Sequence, residues 1–346
     1  MRALLLALLW SQSGCWTVGY LAQQGVGQLH MMQSRRRISD VLTDPTVEES
    51  TKAKLRLAVS ARNFGIEVLG LRGGDAYTRF VDLHGRPLAY NVWAAPKDKL
   101  RPYRHQFPIA GSVPYLGYFH EADARREEAR LRARGFDTFV GEVGGYSTLG
   151  VTSDPIFSSM LEGSPAHIVE VTLHEMLHGT VYLPGHSEWN ESLATFVGLH
   201  GAALFFERAG GGAQAAQRVF AEAAAREKQA ERFSRFLEPF LRELERLYAS
   251  RGPRDEKLRL REQVFAHIRD AFLREFPTPP GRRAGAFARG EINNAMLAVH
   301  TTYHRATPEH DRLLYASGGD LPRFIRLYKH AVDDTDDPLA YLHRQH

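Results

Sequence analysis

Residues 164–192 constrain the fold more than any other part of the chain. Ser164-Pro165 reads as a helix N-cap followed by proline at the first helical position, and apolar residues recur at helical spacing through "HIVEVTLHEMLHGTVY" until Pro184-Gly185 breaks the run. A second helix is expected to start near Ser187 and to end at Gly210-Gly211-Gly212. Two helices joined by so short a turn pack antiparallel. The stretch between their midpoints, "LHEMLHGTVYLPGHSEWNES", places three histidines and three glutamates in twenty residues.

His174 and His178 are four apart, so they leave one helix face about 40° apart in azimuth and their imidazoles can share one ion. Glu175 points about a quarter turn round, beside such an ion but not on it. There a carboxylate can take a proton from an attacking water and pass it to a leaving amine. This is the mechanical content of H-E-x-x-H. A hydrolytic zinc site needs a third protein ligand and one open position. Glu191, in the first turn of the second helix, is the first candidate, and His186 in the connecting loop is the alternative. Asn190 either fixes the helix start or touches substrate. Glu188 suits the positive end of the helix dipole, and His167 and Glu170 suit the helix surface. The bland reading of the motif keeps both histidines as core residues and Glu175 as a solvated charge.

The remaining chain divides by texture. A helix is expected over about Val47–Val68, and "YTRFVDLHGRPLAYNVWAAP" alternates around His84-Gly85-Arg86 as a hairpin would. "QFPIAGSVPYLGYF" reads as a short strand with loops, "EADARREEARLRARG" as a charged helix stopped by Gly135, and "DTFVGEV" and "GYSTLGV" as short strands. Beyond Ser164 the pattern is helical nearly to the end, including a long helix over Ala213–Ser250 containing Pro239. The fold class expected is α+β, with an export segment (1–15), an α/β part (16–163) and a helical part carrying H-E-x-x-H (164–346). The catalytic cleft would lie between the last two.

With 43% hydrophobic and 24% charged residues the chain has the composition of a soluble globular protein. A net charge of +4 without a nucleic-acid motif argues against nucleic-acid binding; the Arg35-Arg36-Arg37 run fits loose attraction to anionic headgroups. The single cysteine, Cys15, excludes an intramolecular disulfide. "MRALLLALLWSQSGCW" has the layout of a secretory signal, its apolar run too short to span a bilayer. Ser13-Gly14-Cys15 is similar to a lipoprotein processing site, with Gln12 where an aliphatic residue is usual. The expectation is an exported protein of the cell envelope, facing the periplasm and anchored through a lipidated Cys15.

Taken together, these segments resemble those of bacterial zinc aminopeptidases of the gluzincin type, many with a lipoprotein-like start. "GCWTVGYLAQQGVGQLHMMQSRRRI", "YNVWAAP", "FPIAGSVPYLGYFHEADA", "GYSTLG", "HEMLH", "NESLATFV", "NNAMLAVHTTYH" and "GGDLPRF" appear in the family's order over nearly the whole chain. The resemblance implies a zincin-like fold and a peptide substrate. One zinc would be held by His174, His178 and Glu191, with Glu175 as general base and acid. It further implies an oxyanion donor downstream, for which Tyr303 is the candidate. "GGYSTLG" reads either as an edge strand that holds the substrate backbone, with Tyr146 and Ser147 lining the cleft, or as an ordinary strand near the domain junction. Gly198 and Gly179 depart from the family pattern, Gly198 standing where an acidic residue is expected. The activity in view is aminopeptidase. The alternatives are an endopeptidase, or a zinc-stabilised envelope lipoprotein that binds a partner and cuts nothing.

Overall fold

A computed structural model describes residues 19–20, 23–107, 111–143, 154–277, 287–288, 292–301 and 308–344. After a helical segment over 23–33, the elements begin with β1 (Arg36–Arg37), α1 (Ile38–Thr43), α2 (Glu49–Glu67), β2 (Arg79–Val81) and β3 (Ala89–Pro96). Next come β4 (His105–Phe107), β5 (Gly111–Val113), β6 (Tyr115–Tyr118), α3 (Glu121–Ala133), β7 (Phe136–Val143) and β8 (Ile156–Phe157). The rest is helical: α4 (Pro165–His178), α5 (Ser187–Phe206), α6 (Gly212–Ala249), α7 (Arg254–Glu275), α8 (Asn294–Thr301), α9 (Pro308–Ala316), α10 (Leu321–Asp334) and α11 (Pro338–His343). The class is α+β, mainly helical with small sheets. Among the described residues no helix is long and apolar enough to cross a membrane.

The chain forms two compact units, each drawing on segments from both sides of residue 163: unit one takes Met1–Gln33, Leu88–Val143 and Glu227–Tyr303, and unit two Ser34–Pro87, Gly144–Arg226 and His304–His346. In unit one β3 is the centre of a three-stranded antiparallel sheet, order β6-β3-β7. α3 covers it with Ala124 and Leu131, packed on Val92, Ala94 and Leu116. A second core joins Leu237 and Leu244 of α6 to Phe265, Ile268 and Phe272 of α7 and Met296 and Leu297 of α8. α3 ends as its sequence requires, at Gly135 with φ of 85°, a conformation that costs a side-chain-bearing residue energy.

The hairpin expected around His84-Gly85-Arg86 does not form. The turn exists, with the Arg86 amide donating to the Leu83 carbonyl and positive φ at His84 and Gly85, but its flanks pair elsewhere. β2 lies between β1 and β8 in a small sheet of unit two, antiparallel to β1 and parallel to β8. Both edges of β3 are taken by β6 and β7 in unit one. Phe80 and Val81 are adjacent and both buried, so β2 is a strand with two covered faces rather than half of an alternating ribbon.

Unit two is built round α4. Its buried residues Ile168, Val169, Thr172, Leu173, Met176 and Leu177 form one stripe, each large apolar side chain contributing about 1.5–3 kcal/mol of burial. α2 crosses this stripe at Gly65, where an added Cβ would lie 3.0 Å from Leu173. α5 crosses it at Gly201, where a Cβ would lie 2.8 Å from the same leucine.

Candidate metal centre

α4 begins as its sequence indicates: the Ser164 hydroxyl accepts from the His167 amide, with Pro165 at the first position. It ends at Gly179, and the chain turns through Leu183–His186 into α5. Asn190 holds this turn. It is buried, accepts from the Leu183 amide and donates to the Leu183 carbonyl, both at 2.8 Å. Both ends of its carboxamide are engaged there, which fixes the start of the helix.

The turn delivers Glu191 to the two histidines. His174 Nε2 and His178 Nε2 are 3.2 Å apart, and one carboxylate oxygen of Glu191 lies 3.5 Å from the first while the other lies 3.4 Å from the second. Ligand atoms in a tetrahedral site with bonds of about 2.0–2.1 Å are separated by roughly 3.3 Å, the edge of the tetrahedron. All three residues can offer a ligand atom within 4.8 Å of the others, so together they could hold one metal ion. The donor set, two imidazoles and a carboxylate, suits zinc.

Burial and mutual charges shift all three residues and the neighbouring Glu175. Burial pulls the His178 imidazole down to about 4, and the neighbouring His174 acts in the same direction. At His174 burial also disfavours charge, but the hydrogen bond to Glu191 and the fields of Glu175, Glu191 and Glu170 outweigh it and raise the ring. That bond to His174 is the main reason the Glu191 carboxyl lies below its ordinary range. Glu175 moves the opposite way. Burial raises its carboxyl, with Glu191 and Asp154 adding to the rise and His174 opposing it. Asp154 was not singled out from sequence; it precedes β8 and carries no motif.

A family model described as "Putative aminopeptidase" matches residues 19–337. The chain belongs to that family. No curated protein and no solved structure matches it significantly. Membership supports a peptidase-like function.

Within this family member the other candidate residues are placed as follows. His186, the alternative ligand, is exposed at the N-cap of α5 and outside the three-residue group. Glu188 is in the first turn of α5, where its charge suits the dipole. Glu170 is held by Arg226, which donates to its carboxylate, and lies 3.8 Å from His167 Nδ1. Arg226 is a partner that sequence reading missed, 56 residues away on α6. Gly198 has a structural reason: a Cβ there would lie 2.7 Å from the Glu170 carbonyl oxygen and 3.2 Å from the His174 Cβ. The backbone of α5 thus rides directly on α4 beside a ligand, and no acidic side chain fits. Gly179 is not so constrained, since a Cβ would meet only the Met176 carbonyl oxygen at 3.6 Å. Tyr303, Tyr146, Ser147 and Cys15 lie outside the described residues.

Proposed function

We propose that this protein is a zinc-dependent aminopeptidase of the zincin-like type, with one ion held by His174, His178 and Glu191. The observation that carries the reading is the convergence of three donors: the two imidazole nitrogens are 3.2 Å apart, and each has one of the two Glu191 carboxylate oxygens at 3.5 or 3.4 Å, separations near the edge of a tetrahedral site. Bound zinc would supply a Lewis acid that polarises the scissile carbonyl and lowers the pKa of the attacking water to about 7. Every other step belongs to the chain. Glu175 takes a proton from the water as its oxygen attacks the carbonyl carbon, holds it on the carboxyl, and gives it to the amine nitrogen as the C–N bond breaks. Its raised affinity for a proton suits a group that must accept one and release it in each turnover.

A buried base beside the ligands also argues against a purely structural ion, which has no use for one and favours a closed shell. Glu175→Gln is expected to retain zinc and to lose about 10³-fold in hydrolysis, read with a peptide library and a metal assay on the same preparation. Full activity in that variant rules out the mechanism. Exo action predicts release of one residue at a time from free N-termini and none from N-acetylated peptides; internal cuts would make the enzyme an endopeptidase.

A further inference from the structure

Three side chains form a hydrogen-bonded chain that ends on the residue after Glu191. Tyr328 Oη of α10 is 2.6 Å from His310 Nδ1 of α9, and His310 Nε2 is 3.1 Å from Ser192 Oγ of α5. His310 and Tyr328 are each 1% exposed. Burial holds the His310 ring down to about 4, so at neutral pH it carries a single proton. The buried tyrosine hydroxyl donates to Nδ1, which puts the ring proton on Nε2, where it is donated to Ser192. Trp189, Phe196 and Phe324 pack round this chain, with ring centroids 4.6–5.7 Å from its His and Tyr rings.

The first turn of α5 needs such support. α4 has a hydroxyl N-cap, whereas the N-cap of α5, His186, makes no side-chain cap hydrogen bond, leaving its first amides dependent on other restraints. Glu191 comes directly after that turn with a side chain 56% exposed, so packing does not fix its direction. Its two sequence neighbours are fixed instead. Asn190 is tied to Leu183, and Ser192 is tied to His310.

We propose that the Tyr328–His310–Ser192 chain is a positioning device for Glu191, setting the rotation of the start of α5 so that the carboxylate meets the two imidazoles. The inference rests on the metal reading above and goes beyond it in assigning roles to residues that touch neither ion nor substrate. Its test is the zinc affinity of the full chain, measured by competition with a chromophoric chelator and independent of turnover. Glutamine can place its amide nitrogen where His310 Nε2 stands and donate to Ser192, and asparagine can place its carbonyl oxygen where Nδ1 stands and accept from Tyr328. The two variants lose similar ring volume but keep opposite ends of the chain. Zinc binding in His310→Gln and Ser192→Thr should stay within about 3-fold of wild type, while His310→Asn and Ser192→Ala should weaken it about 10–100-fold, as changes behind metal ligands do. If His310→Asn does not fold, Ser192→Ala alone carries the comparison.

Equal zinc affinity in all the folded variants, with only the melting temperature lowered, overturns the positioning role and leaves the metal site standing. Failure of the wild-type protein to bind zinc overturns the metal reading itself, and this inference with it.

Discussion

Each unit buries charge, and the two do it in opposite ways. In unit one Arg261 and Asp137, each about 6% exposed, form a two-pronged ion pair at 2.7 and 3.1 Å. The Lys97 carbonyl accepts from Arg261 at 2.6 Å, and the Asn294 amide donates to Asp137 at 3.1 Å. Donors and acceptors balance, and nothing external is required. In unit two His174, His178 and Glu191 bring two imidazoles and a carboxylate together, with the Glu191 carboxylate bonded to His174 and no charged side chain of this trio matched as Arg261 matches Asp137. The first arrangement is closed on itself; the second could be completed by a cation.

The difference can be broken by mutation. Arg261→Leu strands a buried carboxylate and should cost about 3–5 kcal/mol in unfolding free energy without altering zinc affinity. His178→Ala should abolish zinc binding but cost the metal-free protein less than Arg261→Leu does, because the removed ring leaves a cavity and strands no buried charge. Chemical denaturation with and without chelator checks both. If His178→Ala destabilised the metal-free protein as much as Arg261→Leu, the contrast between the units would be lost.

Acid sharpens the comparison by showing what the units share. His105 of unit one is pulled down to about 4 by burial and by Arg130 and Arg134, and His310 of unit two reaches about 4 by burial alone. Both rings stay neutral in the fold and gain a proton in the unfolded chain below about pH 6.5. Their contribution is therefore complete above pH 6.5 and is lost as the pH falls towards 4, by about 3 kcal/mol for each ring. Denaturation midpoints across that window in His105→Phe should show a shallower acid loss than wild type. An identical slope contradicts the assignment. The smallest expected effect is at the helix crossing: Gly198→Ala should cost about 1–3 kcal/mol and weaken zinc binding, because the new methyl group pushes α5 off the His174 turn. A variant as stable as wild type would show that the crossing tolerates a side chain.

The grouping of His174, His178 and Glu191 was legible because it rests on local rules. Helical period places His174 and His178 on one face, Ser164-Pro165 starts their helix, and Pro184-Gly185 returns the chain with Glu191 near the start of the next helix. α2 and the Gly135 stop of α3 were readable for the same reason. The hairpin failed because strand partners are set over long range: β2 pairs with β8 and β3 with β7, and a turn sequence at 84–86 carries no information about either. His310, 118 residues from Ser192, and Arg226, 56 from Glu170, were invisible because neither belongs to a motif or a period. Gly198 read as a departure only because sequence does not show how near two helix backbones come.

X-ray absorption at the zinc edge tests the central claim most directly, on wild type and on Glu191→Ala. The account predicts one zinc per wild-type chain, bound by two imidazole nitrogens and a carboxylate oxygen at about 2.0–2.1 Å, with the oxygen shell altered and affinity reduced in the variant. A wild-type chain that holds no zinc, or one whose zinc shell is unchanged when Glu191 is removed, would contradict it.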